Sequence, residues 1–157
     1  TFNRDTTDVL KLKTILTAMT QELTYQLRNG NKLTACVSVK IRYSDFQTYT
    51  MQKRIPYSAS DHIIFPIITE LFKRLYQRRL LVRLVGVNFS HLVEGGQQIN
   101  LFEDCDKVIS LYQAMDRIRK RYGSRAVINA SGMGAKSIGR SNPFNGEAPP
   151  LLANRRQ

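Results

Sequence analysis

Apolar side chains recur at intervals of three and four near the start of the chain, at Val9, Leu12, Ile15, Leu16, Met19, Leu23 and Leu27. That spacing predicts a helix over residues 6–28 with one buried stripe. A side-chain oxygen of Thr6, Thr7 or Asp8 can cap its first turn, and Asn29 with Gly30 supplies a left-handed stop. The rhythm then changes to two. Over 34–43, Ala35, Val37, Val39 and Ile41 alternate with Cys36, Ser38, Lys40 and Arg42, the pattern of a strand with one buried and one polar face. Ser44 and Asp45 turn the chain. Thr48, Thr50 and Gln52 then alternate with Tyr49, Met51 and Lys53, which completes a hairpin.

A second helix opens at Ser60 or Asp61 and carries Ile64, Ile67, Ile68, Leu71, Phe72 and Leu75 on one side. Pro66 falls about one turn in, where a missing amide hydrogen costs little. Over 81–92 the period returns to two, with Val85, Val87 and Phe89 facing one way and Gly86, Asn88 and Ser90 the other. With a short extended piece at 1–4 the order is βαββαβ. This is an α+β fold: a four-stranded, mainly antiparallel sheet with two helices on one face and the other face open.

Gly95 and Gly96 mark a hinge. Beyond it a C-terminal amphipathic helix is predicted over 106–122, burying Val108, Leu111, Met115 and Ile118 and ending in Arg117, Arg119, Lys120 and Arg121. Gly, Ser, Asn and Pro dominate after residue 131, as in a flexible tail. The organisation is therefore a domain at 1–95, a hinge and peptide at 96–104, a helix with a short extension at 105–130 and a disordered tail at 131–157.

Composition sharpens this picture. The 157 residues hold 24 Lys+Arg against 12 Asp+Glu, a net charge of +12, and a hydrophobic fraction of 42% suffices for one core. The longest apolar run, 63–68, contains Pro66 and is far short of the ~20 residues of a membrane span. The start at Thr1 shows no signal-peptide pattern, so the expectation is a cytoplasmic fragment of something longer, with no membrane partner. Cys36 and Cys105 suit a reducing compartment, and His62 and His91 stand at no zinc-ligand spacing from them.

Surplus positive charge points to a polyanion. The open sheet face is expected to carry Ser38, Lys40 and Arg42 on one strand, Thr48, Thr50, Gln52 and Arg54 on the next, and Gly86, Asn88 and Ser90 on the last. Lys53 and Arg83 add charge at the rim. Such a surface can lie along a phosphate backbone without reading bases, or it can be the ordinary solvated face of an antiparallel sheet. Phe2, Tyr49, Phe72 and Phe89 fall in the apolar phases, so duplex tracking is better served than base stacking. The acids are scattered, with Asp45, Asp61 and Glu94 in turns or caps, and the glycines of 131–139 lack a P-loop ending. No catalytic residue, metal or cofactor is expected in this chain.

The stretches VSVKIRYSDFQTYT at 37–50 and VRLVGVNFSHLV at 82–93, with the opening TF, resemble the little-finger domain of Y-family translesion DNA polymerases, nearest the DinB (DNA polymerase IV) type. The likeness covers about residues 1–93. It implies a domain that grips duplex DNA after the fingers, palm and thumb of the same polymerase. Catalysis would reside in the absent palm, with Mg2+ there. Met51, Leu84 and Asn88 stand where relatives often carry basic residues. After the hinge, Gln98, Ile99, Asn100, Leu101 and Phe102 resemble the peptide by which bacterial polymerases bind the sliding clamp. Gln98 would supply a polar register contact, and Leu101 and Phe102 the apolar anchors. Leu101 and Phe102 can instead fold back onto the third helix. The alternative readings of the whole are an RNA-binding or protein-interaction module of ferredoxin-like shape, and a small autonomous enzyme.

Overall fold

The computed structural model describes residues 5–78, 80–95 and 106–135. Helix α1 spans Val9–Asn29, strand β1 Lys32–Tyr43, β2 Thr48–Ser58, helix α2 Asp61–Leu75, β3 Val82–Glu94 and α3 Asp106–Tyr122, followed by a 3-10 turn at Ala130–Gly132. The Asp8 carboxylate caps α1 by accepting from the Lys11 amide at 3.0 Å. The class is α+β. β1 lies at the centre of the sheet, antiparallel to β2 on one side and β3 on the other.

Among the described residues the sheet has three strands, not four. The strand expected at 1–4 lies outside them. Its neighbour Thr6 forms one antiparallel bridge with Val82, through hydrogen bonds of 3.0 and 2.8 Å. On its C-terminal side Asp8, two residues on, already begins α1.

Period-two alternation sends Val37, Val39, Ile41 and Tyr43 of β1, Val82 and Val85 of β3 and Ile55 of β2 toward the helices. There they pack against Leu12, Ile15 and Leu16 of α1 and Ile64, Ile68, Leu71 and Phe72 of α2. Each fully buried side chain of this size contributes about 1.5–3 kcal/mol. Two bulges shape the sheet. Thr34 pairs with Ser58 but Cys36 with Arg54, so Ile55, Pro56 and Tyr57 of the edge strand oppose Ala35 alone. Pro56, which has no amide hydrogen to offer, is tolerated in such an irregularity. On the other side Arg42 pairs with Leu84 and Tyr43 with Val82, which leaves Arg83 as the extra residue.

Two expectations need correction. The stripe Leu111 and Ile118, expected to be buried, is 56% and 43% exposed, whereas Tyr112 and Arg119 of the same helix are buried. α3 is held by ionic and hydrogen bonds to the helical layer, and these outweigh the modest apolar area of its other side. The tail expected to be disordered from 131 opens with ordered residues. The Asn129 amide donates to Gln21 Oε1 at 3.1 Å, Gly132 sits against Thr17 and Ala18 of α1, and Ala135 joins the main core. Small residues, read from composition as flexible, here permit close approach to a helix. Among the described residues no helix is long and apolar enough to cross a membrane.

Candidate nucleic-acid interface

On the side of the sheet away from α1 and α2, strand register lines residues up in rows of three across β2, β1 and β3. The rows are Thr48, Arg42, Leu84; Thr50, Lys40, Gly86; Gln52, Ser38, Asn88; and Arg54, Cys36, Ser90. Lys40, Arg42, Thr48, Thr50, Gln52, Arg54 and Asn88 are exposed, and the four rows contain no carboxylate. Lys40 and Arg54 make no ion pair among the described residues. Arg42 donates Nε to Thr48 Oγ1 at 2.8 Å, which lays its guanidinium along the row. A Cβ added at Gly86 would meet nothing within 4 Å, so the centre of the face is an open floor beside Lys40.

Not every expected site residue belongs to this surface. Ser38 is buried, and its hydroxyl donates to the Asn88 carbonyl at 3.3 Å, so it ties strands together. Lys53 lies on the opposite, helix-covered side, where Nζ meets Glu70 Oε2 at 2.9 Å. Lys53, with Arg74 at 2.6 Å, holds the exposed Glu70 carboxyl below the usual carboxylate range. Met51 points the same way and packs against the core. Arg83, the bulged residue, stacks its guanidinium 4.7 Å above the Phe46 ring and lies 4.0 Å from Asp5 Oδ2, at the rim beside the β1–β2 turn. Gln98, Leu101 and Phe102 lie outside the described residues.

The hairpin tip is braced from behind. Arg78 donates to Asp45 Oδ2, Gln47 Oε1 and Tyr49 Oη, each at 3.1 Å, while Phe46 takes a left-handed φ of 63°. Tyr43 beneath it is buried and donates to the Leu75 carbonyl at 3.2 Å; burial pushes its phenol above the ordinary value, against the opposing pull of Arg78.

α3 leaves the sheet rows clear because it docks on the helical layer. Arg28 of α1 donates Nε and NH2 to Asp116 of α3 at 2.6 and 3.0 Å, and NH1 to Asp61 of α2 and the Ala59 carbonyl at 2.9 and 2.8 Å. Desolvation acts to lower the Arg28 pKa, but the two carboxylates more than reverse it and the net shift is upward. Tyr112 Oη accepts from the His62 amide at 3.0 Å and meets His62 Nδ1 at 2.8 Å. Arg119, 1% exposed, donates twice to the Val127 carbonyl and once to Asp116. Sequence reasoning missed this network. Its one signal was that Tyr112, Asp116 and Arg119 share the i, i+4, i+7 spacing of a helix face.

A model of the impB/mucB/samB family C-terminal domain matches residues 1–101. DNA polymerase IV of Clostridium acetobutylicum is 32% identical over 136 residues, covering 83% of this chain and 34% of that protein. DNA polymerase IV of Dehalococcoides mccartyi strain BAV1 is 31% identical over 129 residues, covering 81% of this chain and 33% of that protein. DNA polymerase IV 2 of Bacillus subtilis is 31% identical over 130 residues, covering 80% and 31%. The chain thus spans about a third of the length of the curated relatives it matches.

Proposed function

The chain belongs to the impB/mucB/samB family C-terminal domain, the little finger of Y-family DNA polymerases, and from that premise we propose that its open sheet face holds the phosphate backbone of duplex DNA without reading sequence. The observation that carries this reading is the carboxylate-free set of rows, with Lys40 and Arg42 at one end, Arg54 at the other and the bare Gly86 beside Lys40. From the Cys36 row to the Arg42 row is six residues, about 20 Å at ~3.3 Å per residue. A duplex of that length presents about 12 phosphates on its two strands. Three cations serve as positioning contacts and hydroxyls and amides as hydrogen-bond donors.

In the whole protein this grip serves translesion DNA synthesis in repair and replication, following the fingers, palm and thumb. Nucleotidyl transfer and its Mg2+ belong to the palm. Among the described residues no three His, Cys, Asp or Glu side chains gather where they could hold a metal ion, and Asp61 and Asp116 are bound to Arg28, Glu70 to Lys53 and Arg74, and Asp45 to Arg78. Gln98, Leu101 and Phe102 form the contact to a bacterial sliding clamp, and the working compartment is the cytoplasm. Leu101→Ala/Phe102→Ala should abolish clamp binding while sparing DNA.

The face itself is tested by titrating Lys40→Ala/Arg42→Ala with duplexes of unrelated sequence. Affinity should fall similarly for all of them, and the slope of log K against log salt should become shallower by about 2. Unchanged titrations would overturn the assignment, and a salt-matched preference for duplex RNA would move it to RNA.

A further inference from the structure

We propose that the chain carries a second nucleic-acid site, on the helical side, that takes a single strand. A cleft of ≈ 610 Å3 opens between the C-terminal end of α1, the start of β1 and the side of α3. Arg28, Lys32, Arg117 and Lys120 line it, together with one carboxylate, Asp116. That carboxylate is engaged by Arg28 at 2.6 and 3.0 Å and by Arg119 at 3.2 Å, and Arg28 is further balanced by Asp61. The electrostatics facing a ligand are therefore set by Arg117 and Lys120 of α3 and by Lys32, whose cross-strand neighbour is Glu94; all three cations are exposed and form no ion pair among the described residues. The wall also includes Tyr25, half-buried, with the Arg119 guanidinium 5.5 Å from its ring centroid on one face, so that only the other face is left for a base.

Size selects the ligand. The volume lies within the range of nucleotide-scale pockets. As an open recess of nucleotide scale it does not admit the full width of a double helix, whose major groove alone is ~12 Å wide. A duplex does not enter, whereas one or two nucleotides of a single strand do. Position ties the site to a strand instead of a free anion. Lys32 begins β1, and Lys40 stands eight residues along it, about 26 Å away. A single strand leaving a duplex held on the sheet face covers that distance in about eight nucleotides at helical rise, fewer when extended. The cleft stands on its own lining, so its fate and that of the sheet face are separable.

The test uses the full 157-residue chain, fluorescein-labelled dT12 and a blunt hairpin duplex, both followed by anisotropy across a salt series. Lys32→Ala/Arg117→Ala/Lys120→Ala should weaken dT12 binding roughly tenfold or more and reduce its salt slope by about 2, at ~0.7 per phosphate contact. Hairpin affinity and the thermal melt should be retained. Lys40→Ala/Arg42→Ala should do the reverse, weakening the hairpin and keeping dT12. Equal dT12 affinity in the triple variant, or loss of dT12 with Lys40→Ala/Arg42→Ala alone, would overturn the site. Displacement of dT12 by inorganic tripolyphosphate or by oligoglutamate at matched charge concentration would equally overturn the strand assignment.

Discussion

Arg28 and Asp116, 88 positions apart, meet in a two-pronged ion pair, Nε to Oδ2 at 2.6 Å and NH2 to Oδ1 at 3.0 Å. Both side chains are largely shielded, and removing one partner of such a pair leaves a buried charge, typically at about 3–5 kcal/mol. Asp61 remains on Arg28, so the loss in Asp116→Ala should fall on the docking of α3. Hydrogen exchange should accelerate across Asp106–Tyr122 while the amides of β1 keep their protection. Asp116→Asn, which retains an acceptor, should show a smaller effect. Exchange rising equally in β1 would show that α3 and the sheet unfold as one unit.

The parts of the fold that were legible were those whose burial follows a regular period. Val37, Val39 and Ile41 announce the core face of β1, and Lys40 and Arg42 its polar face, because side chains alternate across any strand. Charge suggests a place at the rim for Lys53, but its phase with Tyr49 and Met51 turns it toward the helices, where it meets Glu70. Ser38 has the right phase, but its position between two strands buries it, and neither register nor a central place in a sheet is visible in one strand's pattern. For α3 the apolar stripe was in plain view and was the wrong guide. Arg28, Asp61 and Asp116 meet only after three elements have packed, and such long-range ion pairs leave no local trace.

Lys53 and Arg54 are adjacent in sequence and on opposite sides of the sheet. Lys53→Ala should therefore leave duplex affinity and its salt slope unchanged, whereas Arg54→Ala should weaken binding and make the slope shallower by about 0.9. Equal losses from the two substitutions would mean that the duplex reaches around the β2 edge.

Tyr43 gives stability a pH dependence on the alkaline side. Its phenol is raised above the usual value of about 10 because the folded state buries it. A raised acid favours the neutral form in the folded state, so its contribution is fully present below pH ~10 and is lost as pH rises through the folded pKa. Tyr43→Phe removes that loss and also the hydrogen bond to Leu75, about 1 kcal/mol. Denaturant midpoints at pH 8 and pH 11 should fall less between the two pH values in the variant than in the unaltered chain. An identical fall would assign the alkaline transition to other groups.

Gly86 separates shape from charge on the proposed duplex face. It lies opposite Lys40 in a regular stretch of β3, and a side chain placed there meets nothing within 4 Å. Gly86→Val is then compatible with the fold. Reduced freedom of the unfolded chain and the strand preference of valine should raise stability by about 0.4–1 kcal/mol. The same side chain raises the floor over which the backbone of a duplex passes, holding phosphates away from Lys40 without removing any cation. Duplex affinity should drop several-fold while the melting temperature rises, and the salt slope should change less than in Lys40→Ala/Arg42→Ala because Arg42 and Arg54 keep their reach. A Gly86→Val chain that is more stable and binds duplex DNA as tightly as before would mean that the phosphates do not run past the centre of the sheet, and that Lys40 meets them only from above.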